Sequence, residues 1–224
     1  MCGASCGRPR PTPSDEWPGS KRCGAATAPP WLRDIRLPVL EVTPAGEPFF
    51  RVHRSEHAPA FFGPGEGRPA TGRFDPASGR FGVLYAGLSL NAAVAETLLR
   101  SPQRRLVAFR EVTVRSLSLL RPATTLRLVH LQGPHLQELG TDASIATGPY
   151  GPCGLWADAL FDHPDAPDGI AYTSRHNPDE LCAALFRRAE RHPALGVVST
   201  TPLLALGTEL AMVLRRHGKG LEIP

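Results

Sequence analysis

The sequence predicts an α+β domain: a curved sheet, mixed or largely antiparallel, with helices flanking it. Three observations point there. Short strand-like and helix-like runs follow one another without the regular strand–helix alternation of a doubly wound sheet. Glycine and proline, 22 and 24 of 224 residues, cluster between those runs and punctuate them. Hydrophobic residues make up 42% of the chain, enough for one buried core, and the length suits a single domain.

Taken in order, residues 1–30 are rich in Pro, Gly, Ser and Ala and show no apolar period. Such a segment buries too little surface to offset the entropy of ordering it, so a disordered tail is expected. Residues 31–46 read as a lead-in that packs on the domain, and residues 47–220 as the folded domain. Phe49 opens a short strand to His53. Residues 56–78 form a loop dense in Gly and Pro, longer than a compact domain usually spends on a connection. A strand follows over residues 81–85. Ser89 or Asn91 can cap a helix running to Leu99, with Ala92, Ala93, Val94, Ala95 and Leu98 supplying small and apolar faces. Residues 104–114 alternate like a strand, continued after a bulge by 116–120, and 124–131 reads as another. A short helix is expected over 134–139 and a longer one over 155–161, behind a Gly/Pro loop. Residues 169–172 and 181–186 read as strands. An amphipathic helix over 203–217, stopped by Gly218, closes the chain.

Charge and cysteine usage exclude several classes of function. The net charge is only +4 and the arginines are scattered, so no direct nucleic-acid partner is expected. No apolar run is long enough to cross a bilayer and no signal peptide opens the chain, which predicts a soluble cytoplasmic protein with no membrane partner. Five cysteines, an odd number without paired spacing, make a poor disulfide framework. Cys2 and Cys6 lack the CxxC spacing or nearby histidine that a tetrahedral site needs, so no metal is expected.

The stretch from 49 to 99 concentrates the chemistry. Arg51 ends an apolar run in Phe49-Phe50-Arg51-Val52-His53-Arg54, and Arg73 stands in Gly72-Arg73-Phe74 at the close of the long loop. Guanidinium groups fork onto two phosphate oxygens at once, so two arginines bracketing a Gly-rich loop suit a pyrophosphate. The Gly63-Pro64-Gly65-Glu66-Gly67 run fails the dinucleotide fingerprint on context, although its backbone N–H groups could wrap a phosphate. Tyr85, at a strand end, is either core or a ring that stacks on a base. Glu96 is a lone carboxylate in an apolar helix. An ion pair with Arg100 would give it a bland surface role worth a few tenths of a kcal/mol. A cleft-facing Glu96 would instead stabilise a cationic ribose or bind its hydroxyls. Ser174, in Tyr172-Thr173-Ser174-Arg175-His176, lacks a nucleophile elbow and reads as a hydroxyl that bonds a ligand.

Arg51, Gly72-Arg73-Phe74, Leu84-Tyr85, Ala95-Glu96 and Tyr172-Thr173-Ser174-Arg175, in that order over residues 47–186, resemble the RES-domain family, named for its spaced Arg, Glu and Ser. The family commonly has Gly-Arg-Trp-Asn where this chain has Gly72-Arg73-Phe74-Asp75. The resemblance implies a fold like that of ADP-ribosylating toxins and a bacterial toxin that consumes NAD+ as substrate, needing no other cofactor. Phosphorolysis, with phosphate as co-substrate, and hydrolysis are both implied. Arg51 and Glu96 would be catalytic; Arg73 would anchor phosphate, Tyr85 would stack near the nicotinamide, and Ser174 would bond that end of the pocket. An antitoxin with an Xre-like helix-turn-helix is the implied partner, with homo-oligomers open within such a complex. Two alternatives stand beside this reading: protein mono-ADP-ribosylation at the same site, and a nucleotide-binding module without turnover.

Overall fold

The computed structural model describes residues 27–64, 67–188 and 194–223. The expectation of a disordered tail over 1–30 therefore falls almost wholly outside the described residues. After a 3-10 turn at Pro30–Asp34 come β1 (Val39–Val42), β2 (Phe49–Arg54), β3 (Val83–Gly87) and α1 (Leu90–Leu98). The middle of the chain holds β4 (Leu106–Val107), α2 (Phe109–Thr113), β5 (Arg115–Pro122), β6 (Leu126–Leu131), α3 (His135–Glu138) and α4 (Ser144–Thr147). Then follow α5 (Tyr150–Phe161), β7 (Gly169–Thr173), β8 (Leu181–Phe186), β9 (Leu195–Pro202), a 3-10 turn at Leu203–Leu206, α6 (Thr208–Arg216) and β10 (Gly220–Leu221). None of these helices is long and apolar enough to cross a membrane.

Eight strands form one sheet in the order β1-β6-β7-β8-β3-β2-β5-β9. Every neighbouring pair is antiparallel except β6 and β7, which run parallel. This is the mixed, largely antiparallel α+β sheet that the sequence predicts; β4 and β10 pair separately. One junction is weak. β2 matches β5 at six consecutive positions and β3 matches β8 at five. Between β2 and β3 the register holds only Phe50 opposite Gly87, so the sheet opens there.

Helices cover the sheet on both sides of that opening. Trp156, Ala157 and Leu160 of α5 are buried with Val129, Leu131, Ile170 and Phe186 of the sheet. Val94 of α1 shares a second core with Val52, Val112, Leu117 and Leu210, which ties α1 and α6 to β2 and β5. The opposite face of the sheet buries Phe49, Leu84, Leu120, Leu128 and Leu185 under Phe62 of the long loop. β8 is apolar at consecutive positions because it is covered on both faces, as central strands are.

Several elements differ from the sequence reading, each for a physical reason. Residues 104–114 are not one strand: β4 has two residues, and Phe109 to Thr113 wind into α2, which buries Val112. The helix expected over 203–217 is interrupted at Gly207, whose φ of 46° breaks the helical path. The lead-in segment supplies β1, which pairs with β6 at four positions, while Leu32 and Leu37 enter the core at 2% and 3% exposure. At the end of the segment read as a tail, Ala28 packs on the core. α5 starts at Tyr150, earlier than expected. β9 carries no signal in the sequence reading because both its faces are largely exposed, which erases the alternation.

Candidate active site

A cavity of about 310 Å³ occupies the opening between β2 and β3. Phe50, Arg51 and Val52 line it from β2, and Tyr85, Ala86 and Gly87 from β3. α1 contributes Ala93, Glu96 and Thr97, the residue after its C-cap is Arg100, and the long loop adds Thr71, Gly72 and Arg73. Tyr150, Tyr172, Arg175, His176 and Cys182 complete the wall. Four arginines thus face a space with a single carboxylate, an arrangement built for an anionic ligand.

α1 brings Glu96 to this space. Ser89 caps the helix, its Oγ accepting from the Ala92 N–H at 3.0 Å while donating to Glu180 at 2.6 Å. The buried run of Ala92, Ala93, Val94 and Ala95 lets the helix sit low on the sheet. At Gly87 a Cβ would lie 2.6 Å from the Ala93 nitrogen and 2.7 Å from the Ser89 carbonyl oxygen, so this approach requires glycine. Glu96 Oε1 accepts from Ser174 Oγ at 2.7 Å and from the Arg175 N–H at 2.9 Å. Among the described residues its carboxylate takes part in no ion pair, Arg100 included. Arg100 instead points a guanidinium nitrogen at Tyr150 Oη, 3.5 Å away.

The two predicted arginines are held differently. Arg51 projects from the middle of β2 and donates to the Pro59 carbonyl oxygen. Burial lowers its pKa to about 10, which leaves it a cation at neutral pH. Arg73 is 6% exposed, its Nη1 donating to the Gly148 carbonyl oxygen at 2.8 Å and to Cys153 Sγ at 3.6 Å. Its guanidinium lies 4.6 Å from the Tyr150 ring centroid, a cation–π contact. Its Nη2 is buried without a hydrogen-bond partner. An orphaned buried charged donor costs about 1–3 kcal/mol or more.

Tyr85 lines the cavity as expected but its hydroxyl is engaged within the chain, and Ser174 lies behind the wall. Tyr85 Oη donates to Asp75 Oδ1 at 2.8 Å and accepts from the Phe74 N–H at 2.9 Å, so its hydroxyl serves the loop. Burial and the neighbouring Asp75 raise its pKa well above the usual phenol value. Ser174 is 1% exposed and does not line the cavity. It stands behind Glu96 and also accepts from the Asn177 N–H at 3.1 Å, so it orients the carboxylate rather than meeting a ligand. The amides of Thr71 and Gly72 are taken by Asp75, and neither Gly63 nor Gly67 lines the cavity; Gly65 and Glu66 of that run lie outside the described residues.

Several cavity residues escape the sequence reading, three of them with rings that can stack or hydrogen-bond. Tyr150 is one, hidden by the Tyr150-Gly151-Pro152 stretch that reads as loop but forms the first turn of α5, where proline's missing N–H costs nothing. Tyr172 is another, taken as strand core; its buried hydroxyl titrates well above the usual range through burial. The third is His176, which desolvation keeps below its ordinary pKa against the pull of Glu96.

Comparison with known proteins gives three findings. The RES domain family model matches residues 48–206. A curated protein described as probable toxin y4kH, from Sinorhizobium fredii, is 48% identical over 59 residues, which is 26% of this chain and 44% of that protein. This match spans less than half the length of that relative. The crystal structure of the M. tuberculosis MbcT–MbcA toxin–antitoxin complex contains a chain of similar fold, with a TM-score of 0.62 at 19% identity, covering 80% of this chain and 94% of that one.

Proposed function

The chain belongs to the RES domain family, and from that premise we propose that it consumes NAD+ by cleaving the bond between nicotinamide and ribose. The observation that carries the reading is Glu96: a carboxylate fixed by two donors on the wall of a cavity that four arginines also line. Nicotinamide leaves NAD+ as a neutral base, so no acid need protonate it. The work left to the protein is to hold the dinucleotide and to stabilise positive charge as it grows on the ribose ring.

Arg51 and Arg73, both on the cavity wall, bind the pyrophosphate or an incoming phosphate through charge-assisted bonds. Glu96 faces C1′ and its hydroxyl-bearing neighbours, and its negative charge favours the oxocarbenium-like transition state over the ground state. Ser174 and the Arg175 N–H keep the carboxylate in one pose, so that it does not reorganise during the reaction. The C1′–N bond breaks with its electron pair going to nicotinamide, and a phosphate oxygen forms the new bond to C1′, giving ADP-ribose-1-phosphate. Water in place of phosphate gives ADP-ribose and releases a proton.

Loss of NAD+ halts growth, so this reading makes the chain the toxin of a toxin–antitoxin pair. Its two comparison proteins, a probable toxin and a toxin–antitoxin complex, support that assignment. An acidic or C-terminal segment of an Xre-like partner would compete with the substrate's phosphates for Arg51 and Arg73. The test is incubation of the purified protein with NAD+, with and without phosphate, followed by mass analysis. ADP-ribose-1-phosphate only when phosphate is present identifies a phosphorylase, and ADP-ribose in both cases a glycohydrolase. Intact NAD+ in both defeats the proposal.

A further inference from the structure

We infer that Asp75 is a positioning residue: its buried carboxylate fixes the Thr71–Phe74 turn and thereby seats the Arg73 guanidinium in the cavity wall. The inference rests on the reading that Arg73 meets the substrate's phosphates.

Asp75 is 2% exposed, and its carboxylate accepts from Thr71, Gly72 and Tyr85. Oδ2 takes the backbone N–H of Thr71 at 2.7 Å and that of Gly72 at 2.6 Å. Oδ1 takes the Tyr85 hydroxyl at 2.8 Å, and the same hydroxyl oxygen accepts the Phe74 N–H at 2.9 Å. The amides on both sides of Arg73 are therefore pinned to one carboxylate–phenol pair. Two successive N–H groups converging on one oxygen form an anion nest of the kind that loops offer to phosphate. Here the nest is filled from within the chain. The loop gives its amides to Asp75, and phosphate recognition passes to the guanidinium of Arg73.

Packing leaves the turn no slack. A Cβ at Gly72 would lie 2.4 Å from the Tyr85 ring, so the backbone presses directly on that side chain. On the other flank, the Ala77 N–H donates to the Gly154 carbonyl oxygen at 3.2 Å, and a Cβ at Gly154 would meet the Asp75 carbonyl oxygen at 2.9 Å. The turn is thus wedged between β3 and α5, and Arg73 reaches across from it to Gly148 at the head of α5. Arginine has several rotatable bonds, and a fixed backbone at its root helps to keep the guanidinium seated on Gly148 and against Tyr150 in the cavity wall. Removing the carboxylate frees two amides and the phenol together and releases that root. A displacement of about 1 Å at such a group can cost a hundredfold in rate.

The experiment compares the parent with Asp75→Ala and Asp75→Asn in the full chain, reading KM and kcat for NAD+ loss, melting temperature, and the crystal structure of each. Asp75→Ala is expected to raise KM by on the order of 10- to 100-fold, with a smaller change in kcat, and to displace the Arg73 guanidinium from Gly148. Asparagine keeps a carbonyl oxygen for the Thr71 and Gly72 amides, so Asp75→Asn is expected to return KM to within roughly threefold of the parent. A residue that only stabilised the fold would lower the melting temperature and leave KM of the folded fraction unchanged. If Asp75→Ala does not fold, Asp75→Ser, with one acceptor oxygen, is expected to show an intermediate rise in KM. Parent-like KM in every folded variant, or Arg73 still seated on Gly148 in the alanine or serine variant, overturns the inference. If the parent itself leaves NAD+ intact, the proposed reaction fails while the position of Arg73 still decides the role of Asp75.

Discussion

Glu96 lies in the last turn of α1, where the partial negative charge of the helix end disfavours a carboxylate, and no basic residue shares that turn. It is not placed there to stabilise the helix. Its two donors, the Ser174 hydroxyl and the Arg175 amide, come from the far end of β7 and hold it at the cavity wall. Arg51 is legible in the sequence for the same reason as Glu96: each is a charged residue set among apolar neighbours. Tyr85 and Ser174 are legible as polar groups near the site, but not in role, because their partners Asp75 and Glu96 lie 10 and 78 residues away. Asp75 itself, before Pro76, has the look of an ordinary turn former, and only the fold brings it under the amides it binds. Arg51 gives the prediction at this scale. Lysine keeps the charge but loses the planar fork, so Arg51→Lys should lower kcat/KM for NAD+ by on the order of 10- to 100-fold, in line with about 1.5–3 kcal/mol for a charged hydrogen bond. Parent-like kinetics would make Arg51 a structural residue.

At the scale of elements, the site depends on how closely α1 approaches β3. Gly87 faces backbone atoms of Ser89 and Ala93 that no rotamer change can move away. Gly87→Ala should therefore destabilise the protein by about 1–3 kcal/mol, the usual cost of overpacking, and lower activity in the folded fraction because α1 carries Glu96. Denaturant unfolding and single-turnover kinetics read the two effects separately; an alanine variant equal to the parent in both would show that α1 has room to shift. The elements legible in the sequence are those whose local signals agree with their burial. α1 has a Ser89 cap and small apolar faces, β2 an apolar run, and β8 an unbroken one that begins and ends where predicted. Others follow from contacts that no local window contains. The glycine and proline at the head of α5 mimic a loop, yet Gly154 is small because the turn after Asp75 packs against it. The strand period over 104–114 is overridden where Val112 turns into the core under α2.

For the whole molecule, the weak junction between β2 and β3 is what turns a sheet into a binding site. Five strands on one side and three on the other meet at a single residue pair, and the cavity fills the divergence. Segments remote from the cavity keep the larger half together. A chain starting at Glu47 would lose β1, the partner of β6, and the buried Leu32 and Leu37. Each buried leucine is worth about 1.5–3 kcal/mol, so such a truncation should cost roughly 3–6 kcal/mol in denaturant unfolding. Unchanged stability would return residues 31–46 to the status of a lead-in. The central claim, that this chain destroys NAD+ through the carboxylate of Glu96, is tested most directly by following NAD+ over time with equal amounts of the parent and of Glu96→Gln, both shown to be folded by their near-UV circular dichroism. The account predicts steady loss of NAD+ with release of free nicotinamide from the parent, and a rate reduced by on the order of a hundredfold or more for the glutamine variant, which keeps the shape and removes the charge. Equal rates for the two proteins, or no loss of NAD+ with either, would contradict it.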